Sequence, residues 1–336
     1  MKFVFVHSTD FPQTQGRTAW KFYMPTAACL ASMGHTVAVV APRHDEEIRW
    51  HPLVHPGHFH FLGEMAYWLP GRCDVLVLWT DKAEERKLAE AVSKQGIKVL
   101  FAELAWFPHY RSWYVDEEGC GPDSSLVDFV PEVTGPMLRK GGNPKGPVGL
   151  LLQMEHDNAW RSSPFANNAD FVGFMQQRWP DETFLVRRHP RDPAPSFLPP
   201  MPRVSIDTSE TLGGFLEKCK AAVGLNTSAL YAALEEGLPC YMLANGPGRF
   251  SGAFLPDPKM APALAAEINP EWHQRRQRAA GLLAELRRRQ ISMDLEMNPS
   301  VLQRHPVFGP LLSNDEGTNG TVLREPGGVR SVVPCG

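Results

Sequence analysis

At 336 residues the chain is long enough for two domains of ordinary size, and 43% hydrophobic against 21% charged residues is a globular composition. A formal net charge of -3 makes no case for a nucleic-acid partner, and no apolar run reaches the length of a membrane span. Six scattered cysteines (Cys29, Cys73, Cys120, Cys219, Cys240, Cys335) lack paired or metal-type spacing and read as reduced core thiols of a cytosolic protein.

The opening MKFVFVHSTD is too short an apolar run for a signal peptide, and KFVFVH (2–7) reads as a first strand. GRTAWKFYMPTAACLASMG (16–34) carries a helical pattern closed by Gly34, with Pro25 expected to kink or split it. HTVAVVAP (35–42) is the next strand, and CDVLVLW (73–79), the helix DKAEERKLAEAVSKQG (81–96) and the strand IKVLFAE (97–103) repeat the pattern. PEVTGPMLRKGGNPKGP (131–147), rich in Pro and Gly, reads as a linker. Beyond it the alternation restarts with VGLLL (148–152), a helical stretch near 165–178 and TFLVRR (183–188). It continues with the helix SETLGGFLEKC (209–219), the strand AAVGLN (221–226), the helix SALYAALEEG (228–237) and the strand PCYMLA (239–244). A basic helix over 270–290 closes the second half, and the polar, Gly-rich residues 313–336 read as a disordered tail. Strands alternating with helices predict parallel sheets covered on both faces. The expected fold is α/β, with two Rossmann-like, doubly wound domains, residues 1–145 and 146–312, facing a cleft.

Three of these strands end in polar groups, where ligands of open α/β sheets bind. Strand 148–152 runs into Gln153, Glu155, His156, Asp157 and Asn158. Asp157 is a candidate nucleophile or base and Gln153 a donor that could orient it; the alternative is a helix-capping Asp in a polar loop. Strand 183–188 leads into Arg187, Arg188, His189, Pro190 and Arg191, which could balance a negative substrate or protonate a leaving phosphate, or could form a solvated basic loop. Asn226, Thr227 and Ser228 lie between a strand and a helix, either as an anion site or as an ordinary N-cap. A fourth cluster, AELAWFPHYRSWYVDEEGCGPDSSL (102–126), brings Glu103 with Trp106, Phe107, Trp113 and Tyr114, whose rings could face a sugar or pack under a long loop. His51, His55, His58 and His60 match no familiar zinc spacing, and there is no Walker, dinucleotide or Asp-x-Asp motif.

The ordered set resembles the bacterial capsule polysaccharide transferases that use CMP-Kdo, the retaining β-Kdo transferases of GT-B type. The features that carry the resemblance are the Glu103 loop running to DEEGCGPDSSL, Gln153-x-x-x-Asp157, His189-Pro190, and Asn226-Thr227-Ser228 where a pair of serines is commoner. The match spans roughly residues 100 to 245. It implies an acceptor-side first domain, a nucleotide-sugar-binding second domain, and transfer of Kdo from CMP-Kdo to a surface polysaccharide or glycolipid. It further implies retention through a covalent Asp157 intermediate, Glu103 as acceptor base, donor binding by Gln153, Arg188, His189, Pro190, Asn226, Thr227 and Ser228, and no metal or other cofactor. A sialyltransferase, a polyol-phosphate transferase of teichoic-acid type, and a non-catalytic nucleotide-sugar-binding paralogue are the alternatives. A cytoplasmic location follows, with the arginines of the 270–290 helix offered either to anionic lipid at the inner membrane or to solvent.

Overall fold

The computed structural model describes the chain apart from residues 7–12, 41–53, 56–61, 108–110, 133–137, 139–140, 156–157, 193–197, 256–269, 293–295 and 316–336. The first half comprises β1 (Lys2–Val6), α1 (Gln13–Ser32), β2 (Thr36–Val40), β3 (Val54–His55), α2 (Leu62–Trp68), β4 (Val75–Trp79), α3 (Ala83–Ser93), β5 (Lys98–Leu104) and β6 (Ser112–Asp116). The second comprises β7 (Val148–Leu151), α4 (Asn168–Arg178), β8 (Phe184–Arg187), β9 (Val204–Ile206), α5 (Leu212–Leu216), β10 (Ala221–Gly224), α6 (Ala229–Glu235) and β11 (Cys240–Met242). The chain then runs through α7 (Pro270–Arg289), β12 (Gln290–Ser292), α8 (Pro299–Arg304) and α9 (Phe308–Asp315).

Two sheets result, ordered β12-β6-β5-β4-β1-β2-β3 and β11-β10-β7-β8-β9. Counted within each half, the parallel strands of both follow 3-2-1-4-5, the doubly wound order, so the expected pair of Rossmann-like units is what the chain forms. Strand alternation explains how each sheet is covered on both faces. Phe3 and Phe5 of β1, with Val75 and Val77 of β4, pack against Phe22 and Tyr23 of α1. Val4, Val6, Leu76 and Leu78 face the other way, toward Leu88 and Val92 of α3. In β7, Gly149 has a local reason: a Cβ there would stand 2.7 Å from Cys219 Sγ and 2.8 Å from the Phe215 ring, so glycine lets α5 press onto the sheet.

Several findings differ from the sequence reading. Pro25 lies inside α1, which remains one helix because Phe22, Tyr23, Ala27 and Leu30 are anchored in the core on either side of it. The segment read as part of a long aromatic loop contains β6, antiparallel to β5 with Glu103 opposite Tyr114. After α7 the chain returns to the first sheet: β12 pairs antiparallel with β6, and Leu302, Phe308 and Leu312 join the core of β1 and β4. A division at 145 and 312 leaves out this return. Helix α9 extends to Asp315, past the expected start of the tail at 313; the rest of that tail lies outside the described residues. The five described cysteines are free and buried, and burial pushes the Cys73 and Cys219 thiols up to about 12.

Candidate functional site

In the second sheet, Gly224 of β10 pairs with Leu151 of β7, and Leu151 pairs with Arg187 of β8. Two residues further along each strand stand Asn226, Gln153 and His189, so three separate polar clusters share one edge of the sheet. The order reverses between β7 and β10, and there Gln153 Nε2 donates to Asn226 Oδ1 at 3.5 Å. Asn226 Nδ2 donates to the Asn245 carbonyl at 2.7 Å, and Asn245 N–H donates to Ser162 Oγ at 3.1 Å. An amide network thus lines the switch point, where side-chain hydrogen bonds can read a ligand.

The other predicted donor-side residues divide. Ser228 stands at the N-cap of α6, but its side chain makes no cap bond. Thr227 is buried and its Oγ1 accepts from Ala229 N–H at 3.4 Å, the structural role that the N-cap alternative allowed. Helix α6 is only seven residues long, so any anion here must be held by side chains more than by a helix dipole. His189 Nδ1 accepts from Arg191 N–H at 3.2 Å, which leaves the ring proton of the neutral form on Nε2. Arg188 and Pro190 are exposed beside it. Arg187 is committed elsewhere: it pairs with the buried Asp207 and lies 5.8 Å over the Phe215 ring. Burial opposes ionisation of Asp207, yet hydrogen bonds from Ser209 and Arg187 hold its carboxyl below the usual range. Glu155 accepts from Asn168 N–H at 2.7 Å at the start of α4, so part of the polar run after β7 closes a helix terminus. Asp157, the candidate nucleophile, lies outside the described residues.

In the first unit the pairing of β4 with β5 runs as far as Trp79 and Ala102, and the next residues are Thr80, just past β4, and Glu103, near the end of β5. Thr80 has φ +66°, the left-handed region that a β-branched residue avoids, and its buried Oγ1 has no hydrogen-bond partner. Glu103 lies close to Tyr114 and Cys120; burial first, then Cys120 and Glu103 for Tyr114, and Glu103 and Asp81 for Cys120, push both ionisations well up. The aromatic cluster packs. Trp106 stacks on Tyr114 at 4.4 Å and meets Tyr231 of the second unit edge-on at 6.0 Å, while Trp113 sits in the core. Trp106, Trp113 and Tyr114 are buried, which removes them as a sugar-facing surface.

The sequence reading missed Asp81, which follows β4 and is fully buried. An Asp at the head of a helix reads as its N-cap, but the N-cap of α3 is Lys82. The Asp81 carboxylate instead accepts from Arg86 at 2.8 Å, Cys120 N–H at 2.9 Å and, across from the second unit, Arg161 at 2.9 Å. Arg161 sits in the 3-10 turn Asn158–Ser162 that follows β7. The carboxyl ends of β4 and β7 therefore face each other, and the polar edges of the two sheets form the walls of one cleft. The available signal was the strand VLVLW ending in Thr-Asp, the same apolar-to-polar break that marks the other three strand ends.

Among the described residues no cluster of three or more His, Cys, Asp and Glu is placed to hold a metal, and His51, His58 and His60 lie outside them. No described helix is long and apolar enough to cross a membrane. Four arginines of α7 are engaged within the protein: Arg275 with the Phe254 carbonyl, Arg287 with Glu235 and over the Phe107 ring, Arg288 with Glu285, and Arg289 with Glu285 and Ser125.

No protein-family model matches the chain, and no protein of curated function does. Among solved structures it is similar to the β-Kdo 2,7 transferase of Thermosulfurimonas dismutans KpsC, at 13% identity and a TM-score of 0.47 over 91% of this chain and 99% of that one. It is also similar to the β-Kdo 2,4 transferase of the same protein, at 14% identity, a TM-score of 0.42, and 71% and 79% coverage. A third is the lipopolysaccharide outer core galactosyltransferase WaaB, at 11% identity, a TM-score of 0.41, and 94% and 100% coverage. The strand order of the two sheets, read directly, is what establishes the fold.

Proposed function

We propose that the protein is a glycosyltransferase that moves a sugar from a cytidine nucleotide, CMP-Kdo, to a saccharide or glycolipid acceptor with retention at the anomeric carbon. One observation carries the reading: polar strand ends of two Rossmann-like units meet across a cleft, with the Gln153–Asn226 contact at the switch point of the second. Donor residues expected from the resemblance, Gln153, Asn226 and His189, share that edge, and Glu103 belongs to the opposite unit.

In this mechanism the second unit binds CMP, with His189, Arg188 and the Ser228 hydroxyl toward the phosphate. Asp157 attacks the anomeric carbon, and the bond to the phosphate oxygen breaks, with its electron pair leaving on CMP. Glu103 then takes the proton of an acceptor hydroxyl as that oxygen displaces the Asp157 carboxylate. Two inversions give net retention. His189, Arg188 and Ser228 neutralise the departing phosphate, so turnover should survive EDTA.

The deciding experiment offers CMP-Kdo, CMP-sialic acid and CDP-glycerol without acceptor and follows donor hydrolysis and intact mass. The expected result is CMP release from CMP-Kdo and a sugar adduct on the peptide containing Asp157, with Asp157→Ala losing turnover by several orders of magnitude while keeping CMP affinity. Selective use of CMP-sialic acid or CDP-glycerol would move the protein to another cytidine-nucleotide class. CMP binding without hydrolysis of any donor would make it a non-catalytic binder.

A further inference from the structure

Asp81 and Asp123 bring two carboxylates to the mouth of the cleft on the first unit. Arg86 serves both, at 2.8 and 3.2 Å, and it is fixed there by the Glu118 carbonyl and by the Phe101 ring 4.7 Å away. One guanidinium against two carboxylates leaves a negative charge uncompensated, and Asp81 is fully buried, where such an imbalance is most costly. The compensation comes from the other unit. Arg161 reaches Asp81 Oδ1 at 2.9 Å, Asp123 Oδ2 at 3.0 Å and the Asp81 carbonyl at 3.2 Å. The turn that carries Arg161 is also fastened to its own sheet edge, where the neighbouring Ser162 exchanges hydrogen bonds with Asn245.

We propose that Arg161 is a positioning residue, an electrostatic latch that fixes the post-β7 turn of the second unit against Asp81 and Asp123 and so sets the separation of the two polar sheet edges. Its reach is specific. Asp81 follows Thr80, which stands beside Glu103, whereas Arg161 follows the strand that supplies Gln153. Under the glycosyltransferase reading, on which the kinetic part rests, the latch joins the acceptor wall to the donor wall. A planar fork can bond both carboxylates and the carbonyl at once; a lysine can satisfy only part of this set.

The test compares the full-length protein with Arg161→Ala and Arg161→Lys. Because Asp81 keeps Arg86 and the Cys120 N–H, and Arg161 is itself partly exposed, each unit should remain folded, which circular dichroism checks. Small-angle scattering should show a larger radius of gyration for Arg161→Ala, and amide exchange should quicken over both 158–162 and 81–86. Transfer kcat should fall roughly 100-fold with CMP affinity within about threefold, since misplacement across the cleft harms reaction geometry more than donor binding. Arg161→Lys should recover part of the rate and part of the compaction. Asp123→Asn, which removes one partner at the rim, should loosen the cleft in the same direction. Unchanged scattering and exchange in Arg161→Ala would overturn the latch. A looser cleft with wild-type kcat would overturn the positioning role. If the wild type turns over no sugar donor, the glycosyltransferase reading fails, and scattering and exchange alone decide the latch.

Discussion

The two units share a strand order but finish their cleft edges with different chemistry. On the first, carboxylates are buried and tied down. Asp81 accepts from two arginines and a backbone N–H, and behind the edge, level with Phe101 of β5, Asp116 accepts from Glu118 and Gly119 N–H, from Ser124 Oγ, and from both N–H and Oγ of Ser125. On the second, the switch point is lined by neutral amides, Gln153, Asn226 and the backbone of Asn245, with Arg188 and His189 toward solvent at the same edge. Buried charge of this kind organises backbone, because each hydrogen bond it lacks is costly. Neutral amides can exchange partners with a ligand at little expense. The first edge therefore uses its polar groups to hold shape, and the second keeps neutral groups that the proposed function assigns to the donor.

The strongest way to break that contrast is Asp116→Ala. It would strand up to five donors and leave Arg289 without one of its carboxylates, so a loss of about 3–5 kcal/mol is expected in urea unfolding. A loss below about 1 kcal/mol would mean the loop after β6 holds itself.

A pH titration should sharpen the contrast next. His305, buried beneath α9 on the first unit, donates from Nε2 to the Arg289 carbonyl at 2.9 Å and accepts at Nδ1 from Val307 N–H at 3.2 Å. Burial first, then the charges of Arg289 and Arg288, lower its pKa to about 4, against the hydrogen bond to the Arg289 carbonyl, which raises it. A folded value below the unfolded one means the unfolded chain binds the extra proton. The contribution is therefore complete above about pH 6.5 and is lost as pH falls toward 4, roughly 3 kcal/mol across the window. The difference between wild type and His305→Ala should shrink over that range; a constant difference would refute the assignment.

On the second edge the expectation reverses. Asn226→Ala should weaken CMP binding by roughly 1–3 kcal/mol by calorimetry while costing less than about 1 kcal/mol of fold stability. Equal losses in both would place Asn226 with the structural groups. The smallest effect is a gain: Thr80→Gly relieves a left-handed β-branched residue and removes an unpartnered hydroxyl, so stability should rise by about 1 kcal/mol. A decrease would show that the Thr80 side chain packs favourably.

Strand identity was legible wherever a strand is apolar on both faces, as in VLVLW and VGLL, because nothing but burial on both sides sustains such runs. The shared edge of Gln153, Asn226 and His189 was legible for a related reason: an apolar run that stops in polar groups marks where a strand leaves the core. The short strand Gln290–Ser292 was not legible, because its partner Trp113 lies far back in the chain and three residues carry no period. SWYVD read as part of a long loop whose rings could face a sugar or pack; they pack, in a strand that serves the sheet and the core. Arg161 and Asp81 are single charges in polar turns, and their meaning lies in a charge imbalance that only folding creates. In the basic helix the pairing of Arg288 and Arg289 with Glu285 follows helical spacing, whereas that of Arg287 with Glu235 joins two elements and only folding creates it.

Two strands of chain pass between the units: the Pro- and Gly-rich segment after residue 131 and helix α7. They meet where α7 passes Pro131 and Glu132. A Cβ on Gly281 of α7 would stand 2.7 Å from Pro131 and 3.3 Å from the Glu132 carbonyl. The segment is also pressed onto the second unit, with Asn143 N–H donating to the Cys219 carbonyl at 2.9 Å and a Cβ on Gly141 colliding with the Glu236 backbone. The units are joined beyond these connections as well: Gly248 N–H donates to the Leu126 carbonyl at 2.6 Å, Phe250 N–H to the Val127 carbonyl at 3.1 Å, and Tyr231 meets Trp106, so the seam is held along a broad front. A methyl group placed on Gly281 would therefore wedge α7 away from Pro131 at the seam of the two units, without touching either wall of the cleft.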